Sequence, residues 1–217
     1  MTPLEILTEI ELVVRRLIET GLSVQQNWPC MRSGAHGIRE IGISGTPDLS
    51  ISMRDKPYWE IYEELSDAGA YHTRLIDGTM VQMLYRFHGE KLIGHRLCTF
   101  PAPNLDPYET EPKPYEEDEI FADIVAKNIV HVPLRFDFDD AVHTDVDHPK
   151  SHLSLGQYLN CRIPVTAPLT PAKFLRFLLR NFYFTAFHAR GLDRIGGSKA
   201  FTETITPKER LITYLSC

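Results

Sequence analysis

Apolar residues recur at helical spacing from the start of the chain: Leu4, Leu7, Ile10, Val14 and Leu17 fall on one stripe of a 3.6-residue period. Thr2-Pro3-Leu4-Glu5 offers a capping hydroxyl, a proline for the first helical position and a glutamate that reaches back, and Gly21 offers a stop. The pattern predicts a helix over residues 2–20. Beyond it the period shortens. Apolar runs at 38–43 and 49–53, set among Asn, Gly, Pro and Ser, predict brief strands, and residues 57–65 predict a short helix closed near Gly69. Residues 71–76, 79–87 and 91–100 are strand-like, and Asp77-Gly78 and His88-Gly89 between them supply the positive φ that tight hairpins require. An antiparallel meander follows.

Residues 129–138 carry the clearest strand pattern, with Leu134, Phe136 and Phe138 alternating against Arg135, Asp137 and Asp139. Residues 152–155 repeat it, setting Leu153 and Leu155 opposite His152 and Ser154, and 160–165 add another short strand. Thr170-Pro171 begins a second long helix reaching about Tyr183, and Thr206-Pro207-Lys208-Glu209 begins a last short one by the same capping logic. Prolines 101, 103, 107, 112 and 114, interleaved with acids, mark a loop near 101–118 that cannot join a sheet interior. These elements predict a single α+β domain over residues 1–217: an antiparallel meander sheet of about five to seven strands, one face packed on the N-terminal helix and a helix near 171–183.

Composition leaves that picture unchanged, since 43% apolar and 24% charged residues are ordinary globular usage and 217 residues suit one core. Cys30, Cys98, Cys161 and Cys217 are scattered without a C-x-x-C pair, which argues against a zinc knuckle or a disulfide scaffold and fits reduced thiols in a cytoplasmic protein. The most apolar stretch, 174–187, is broken by Arg176, Arg180 and Asn181, so no membrane span is expected. A net charge of −6 argues against generic nucleic-acid affinity. The charge is uneven, however, acidic over 101–147 and basic from Thr170 onward.

Four groups of residues bear on chemistry. Arg135, Asp137 and Asp139 project from one strand face, and a neighbouring strand would add His152 and Ser154 with Arg162 close by. As a site, this set supplies acid–base groups in Asp137 and His152 and substrate-binding groups in Arg135, Arg162 and Ser154, the types that phosphodiester chemistry uses. As structure, it is a polar strand face satisfying itself. His143, Asp145, Asp147, His148 and His152 suit a divalent metal held chiefly by His148 and His152, although Pro149 rules out a one-faced helical histidine pair. Acids and histidines in a solvated loop explain the same segment. Pro47-Asp48 with Glu60 has the spacing of a metal-dependent nuclease core, but Tyr62 stands where such a core has lysine, and Glu60 falls on a helix pattern. Lys173, Arg176 and Arg180 share a helix face fit for an acidic partner or simply for water.

The segments LIDGTMVQMLYRF (75–87), LRFDFD (134–139), HPKSHLSLG (148–156), CRIPV (161–165) and TPAKFLRFLLRNFY (170–183) together resemble domain-of-unknown-function family 2290, a family of uncharacterised bacterial proteins. The resemblance spans roughly the last two thirds of the chain and implies no activity and no catalytic residue to carry over. Three functions follow from the residues themselves. One is a nuclease-like or other phosphodiester-processing protein of a defence or toxin module. Another is a non-catalytic binding subunit that docks a partner protein through the basic helix face or the acidic loop. A third is a metal-dependent hydrolase using His148 and His152.

Overall fold

The structure is a computed structural model that describes residues 1–44, 56–105, 109, 112–126, 132–158, 160–197 and 199–217. The expected strand at 49–53 and Pro47-Asp48 lie outside the described residues.

Helix α1 (Pro3–Glu19) begins as its sequence predicts: the Thr2 hydroxyl accepts the Glu5 N–H at 3.2 Å, and the Glu5 carboxylate accepts the Thr2 N–H at 2.8 Å. Its buried stripe is Ile6, Ile10, Val13, Val14 and Leu17, so Leu4 lies outside it and is exposed. Burying five such side chains is worth on the order of 10 kcal/mol against the ordering cost of the helix.

The strands are β1 (Ser23–Gln26), β2 (Pro29–Ser33), β3 (Ile38–Ile43), β4 (Thr73–Leu75), β5 (Met80–His88), β6 (Lys91–Phe100), β7 (Leu134–Asp139), β8 (Ser151–Leu155) and β9 (Ile163–Pro164). Among the described residues they form one nine-stranded sheet of order β1-β4-β5-β6-β7-β8-β9, in which all the paired strands run antiparallel. Strands β4 to β9 are the predicted meander. The β2–β3 hairpin joins the same edge of β5 further along, pairing Ile41 with Tyr85 while β4 pairs Thr73 with Val81. The sheet thereby exceeds the expected five to seven strands, because β1 and β2 carry too little alternation to be placed from sequence.

Helix α2 (Tyr58–Asp67) packs Ile61 and Leu65 with Met80, Tyr62 and Phe100 in a small second cluster. Short helices α3 (Lys113–Glu116) and α4 (Ala122–Val125) follow. The second long helix, α5 (Pro171–Phe182), is capped by the Thr170 hydroxyl, which accepts the Lys173 N–H. It packs on α1 and on the sheet, where Phe136 of β7 meets Phe174 and Phe177 edge-on at 6.0 and 5.2 Å. Helix α5 ends at Tyr183, whose backbone leaves helical geometry and whose hydroxyl donates to the Asp77 carboxylate at 2.8 Å. Helix α6 (Phe184–Ala189) resumes after it. The predicted last helix is only a single 3-10 turn, Glu209–Leu211.

Buried polar groups fix how α5 sits. The Glu9 carboxylate of α1 accepts the Ala172 N–H at 3.3 Å and the Gly197 N–H at 3.4 Å, satisfying an orphan donor of the helix start. Gly196 has φ +76°, and a Cβ there would lie 2.0 Å from that of Ala172. On β5 and β6, the cross-strand neighbours Tyr85 and His95 hold both backbone groups of Leu169: Tyr85 donates to its carbonyl at 2.9 Å, and His95 Nε2 accepts its N–H at 3.1 Å. No helix among the described residues is long and apolar enough to cross a membrane.

Candidate functional site

Because Leu134, Phe136 and Phe138 face the helices, Arg135, Asp137 and Asp139 must project from the opposite face of β7. Register then decides their company. Strand β6 sets Arg96 opposite Asp137 and Cys98 opposite Arg135; strand β8 sets His152 opposite Asp137 and Ser154 opposite Arg135. The predicted adjacency of Arg135, Asp137, His152 and Ser154 is therefore realised, with Arg96 and Cys98 added from β6. Arg162 immediately precedes β9, whose Pro164 pairs with His152, and its side chain makes no hydrogen bond or ion pair with the described residues.

Asp137 is the hub. Arg96 Nε donates to Oδ1 at 3.0 Å, and Arg135 Nε lies 2.5 Å from Oδ2. Burial alone would raise the Asp137 pKa, but the two guanidiniums outweigh it and hold the carboxyl below its usual value, so it stays ionised. His152, whose side chain is 5% exposed, has Nε2 3.8 Å from Oδ2 of Asp137, too far for a hydrogen bond. Its Nδ1 is 2.9 Å from the Pro149 carbonyl, a group that can only accept. Nδ1 therefore carries the proton, and the Nε2 lone pair faces the Asp137 carboxylate. Burial, reinforced by His148 and Arg135, pushes the His152 pKa down despite the Pro149 and Asp137 oxygens, so the ring is neutral at pH 7. Two guanidiniums, one carboxylate and one neutral imidazole leave the cluster a net positive charge. The Cys98 thiol is pushed up to about 12 by burial, which excludes a thiolate there.

The metal-type constellation is divided by the fold. His148 and His152 lie ring against ring at 5.1 Å. Among the described residues the set of three donors that converges is instead His143, Asp145 and Glu209, the last arriving from the C-terminal 3-10 turn. Glu60 lies on α2, as its pattern predicts. Of the basic stripe, Arg176 donates to the Ile195 carbonyl at 2.7 Å and so braces the chain after α6, leaving Lys173 half-buried and Arg180 exposed. Arg96 escaped the sequence reading because β6 looks apolar at both parities; only its register with β7 reveals the pairing. Glu209 was legible as a helix cap but not as a companion of His143.

These features define a single-domain α+β protein with helices α1 and α5 on one sheet face and, on the other, helix α2 beside a cationic, carboxylate-centred polar row. Residues 22–217 match the family described as "Uncharacterized conserved protein (DUF2290)", and the chain belongs to that family. No curated protein and no solved structure matches it.

Proposed function

We propose that the polar row on β6, β7 and β8 is a phosphodiester-processing site of nuclease-like type. The observation that carries this reading is His152: a neutral imidazole with its Nδ1 proton committed to Pro149, and an Nε2 lone pair with no donor among the described residues, next to an Asp137 carboxylate flanked by two guanidiniums. A lone pair in that setting accepts a proton from a hydroxyl nucleophile or a water. Arg96 and Arg135 supply the positive charge that a phosphate and its transition state require. Arg162 and Ser154 extend the substrate-binding set along the neighbouring strands. Asp137 takes a narrower part than acid–base catalyst: held ionised by two arginines, it orients their guanidiniums, and so acts as a positioning residue.

The test is a turnover screen of the purified chain against single- and double-stranded RNA and DNA and small nucleotide diesters, with and without Mg²⁺, Mn²⁺ or Zn²⁺. Cleavage that is lost in His152→Gln and Arg135→Ala, with melting temperature held within a few degrees, supports the reading. Absence of turnover across the panel refutes it and favours a binding subunit.

A further inference from the structure

His143 lies on the loop between β7 and β8, Asp145 two residues on, and Glu209 on the 3-10 turn near the C-terminus. His143 Nε2 is 3.4 Å from Asp145 Oδ1 and 3.3 Å from Glu209 Oε1, and all three donor atoms fall within 4.8 Å of one another. Donors bound tetrahedrally to one ion at about 2.1 Å are separated by about 3.4 Å, which matches the two distances from His143 Nε2. An octahedral ion with bonds of that length would draw cis donors to about 3.0 Å.

A second observation points the same way. The Glu209 side chain is 1% exposed, so its negative charge is removed from water. Its Oε2 accepts the Thr206 N–H at 2.8 Å, whereas Oε1 has, among the described residues, the long hydrogen bond to His143 Nε2 at 3.3 Å. The nearby lysine, Lys208, reaches Asp145 Oδ2 at 3.3 Å and is itself largely exposed. A single Nε2–H cannot serve both carboxylates well, and a buried carboxylate without a strong cationic partner is costly.

We infer that His143 Nε2, Asp145 Oδ1 and Glu209 Oε1 bind one Zn²⁺ ion, which pins the C-terminal segment to the β7–β8 loop. The segment it would fasten also bonds to the chain around β9: Leu215 pairs with Val165 in an isolated parallel bridge, the Thr166 carbonyl accepts the Thr204 and Ile205 N–H groups, and the Thr166 hydroxyl accepts the Cys217 N–H at 3.0 Å. Histidine and carboxylate ligands suit zinc, and three protein ligands leave a fourth position for water.

The experiment uses the full chain, prepared without a metal-affinity tag, stripped with chelator and desalted, then titrated with ZnCl₂ by calorimetry and by melting temperature. One Zn²⁺ per chain is expected, with a midpoint that rises with free zinc. His143→Gln and Glu209→Gln should each weaken binding by more than about tenfold, while Cys30→Ser with Cys217→Ser leaves it unchanged. Asp145→Asn, on the surface loop, serves the same purpose should either of the others fail to fold. Zinc binding that is absent, or that survives all three ligand substitutions, overturns the assignment.

Discussion

Two buried histidines make stability fall steeply with acid. His72 and His95 each accept a backbone N–H, from Met83 and Leu169 respectively, both at 3.1 Å, so each ring needs its lone pair and cannot take a second proton without losing a bond. Burial pulls their pKa values down to about 3 and about 4, from 6.5 in the unfolded chain. A group with a depressed folded pKa supports the fold above its unfolded value and withdraws that support as pH falls. Between pH 7 and pH 5 the unfolded chain protonates both imidazoles while the folded chain protonates neither. Each costs about 2 kcal/mol over that window, about 4 kcal/mol together. With a denaturant slope of about 2 kcal/mol/M, the urea midpoint should fall by roughly 2 M between pH 7 and pH 5. His152, also lowered, adds to the loss. Asp77 opposes it, because burial raises its carboxyl pKa, so an Asp77→Asn background isolates the histidines. His95→Gln should remove about half of the two-histidine share. A loss smaller than about 1 kcal/mol across the window would show that the folded chain takes up these protons, and the burial argument would fail.

Two further outcomes follow from geometry. Asp137→Ala strips the counter-charge from Arg96 and Arg135 and should cost about 3 kcal/mol, read as a drop of several degrees in melting temperature, whereas Arg162→Ala, which breaks no described bond, should stay within about 0.5 kcal/mol; equal effects would contradict the placement of Asp137 as the hub. Gly196→Ala forces a methyl against Ala172 at a positive φ and should destabilise by at least about 3 kcal/mol, measured by urea unfolding; a neutral result would mean that the α5 start is not packed as described.

Much of the fold is written in local pattern. The capping box at Thr2, the hairpin pairs Asp77-Gly78 and His88-Gly89, and the alternation of 134–139 each specify an element through neighbours in sequence, and each element appears where the pattern puts it. What local pattern cannot carry is closure against a distant partner. Strand β2 alternates weakly because, among the described residues, it is paired on one side only, by β3, and its residues after Pro29 are half-buried or exposed. The capped turn at Thr206 does not grow into a helix: its apolar residues Leu211 and Ile212 remain exposed, so no buried face repays propagation.

The candidate site divides along the same line. Parity within a strand is a local property, so Arg135 and Asp137 could be grouped from β7 alone, and His152 with Ser154 from β8. Register between strands is not local, and it is register that makes the site, since a slip of one residue between β6 and β7 would bring Leu97 opposite Asp137 in place of Arg96. An aspartate on a half-buried strand face demands a cation, which is a reason to search adjacent strands for arginine before searching for a catalytic partner. Applied to Asp137, that rule assigns its charge to Arg96 and Arg135 and leaves His152 unprotonated. Within the proposed site, the proton-accepting role therefore falls to the imidazole and not the carboxylate, an assignment that rests on which oxygens the arginines already occupy.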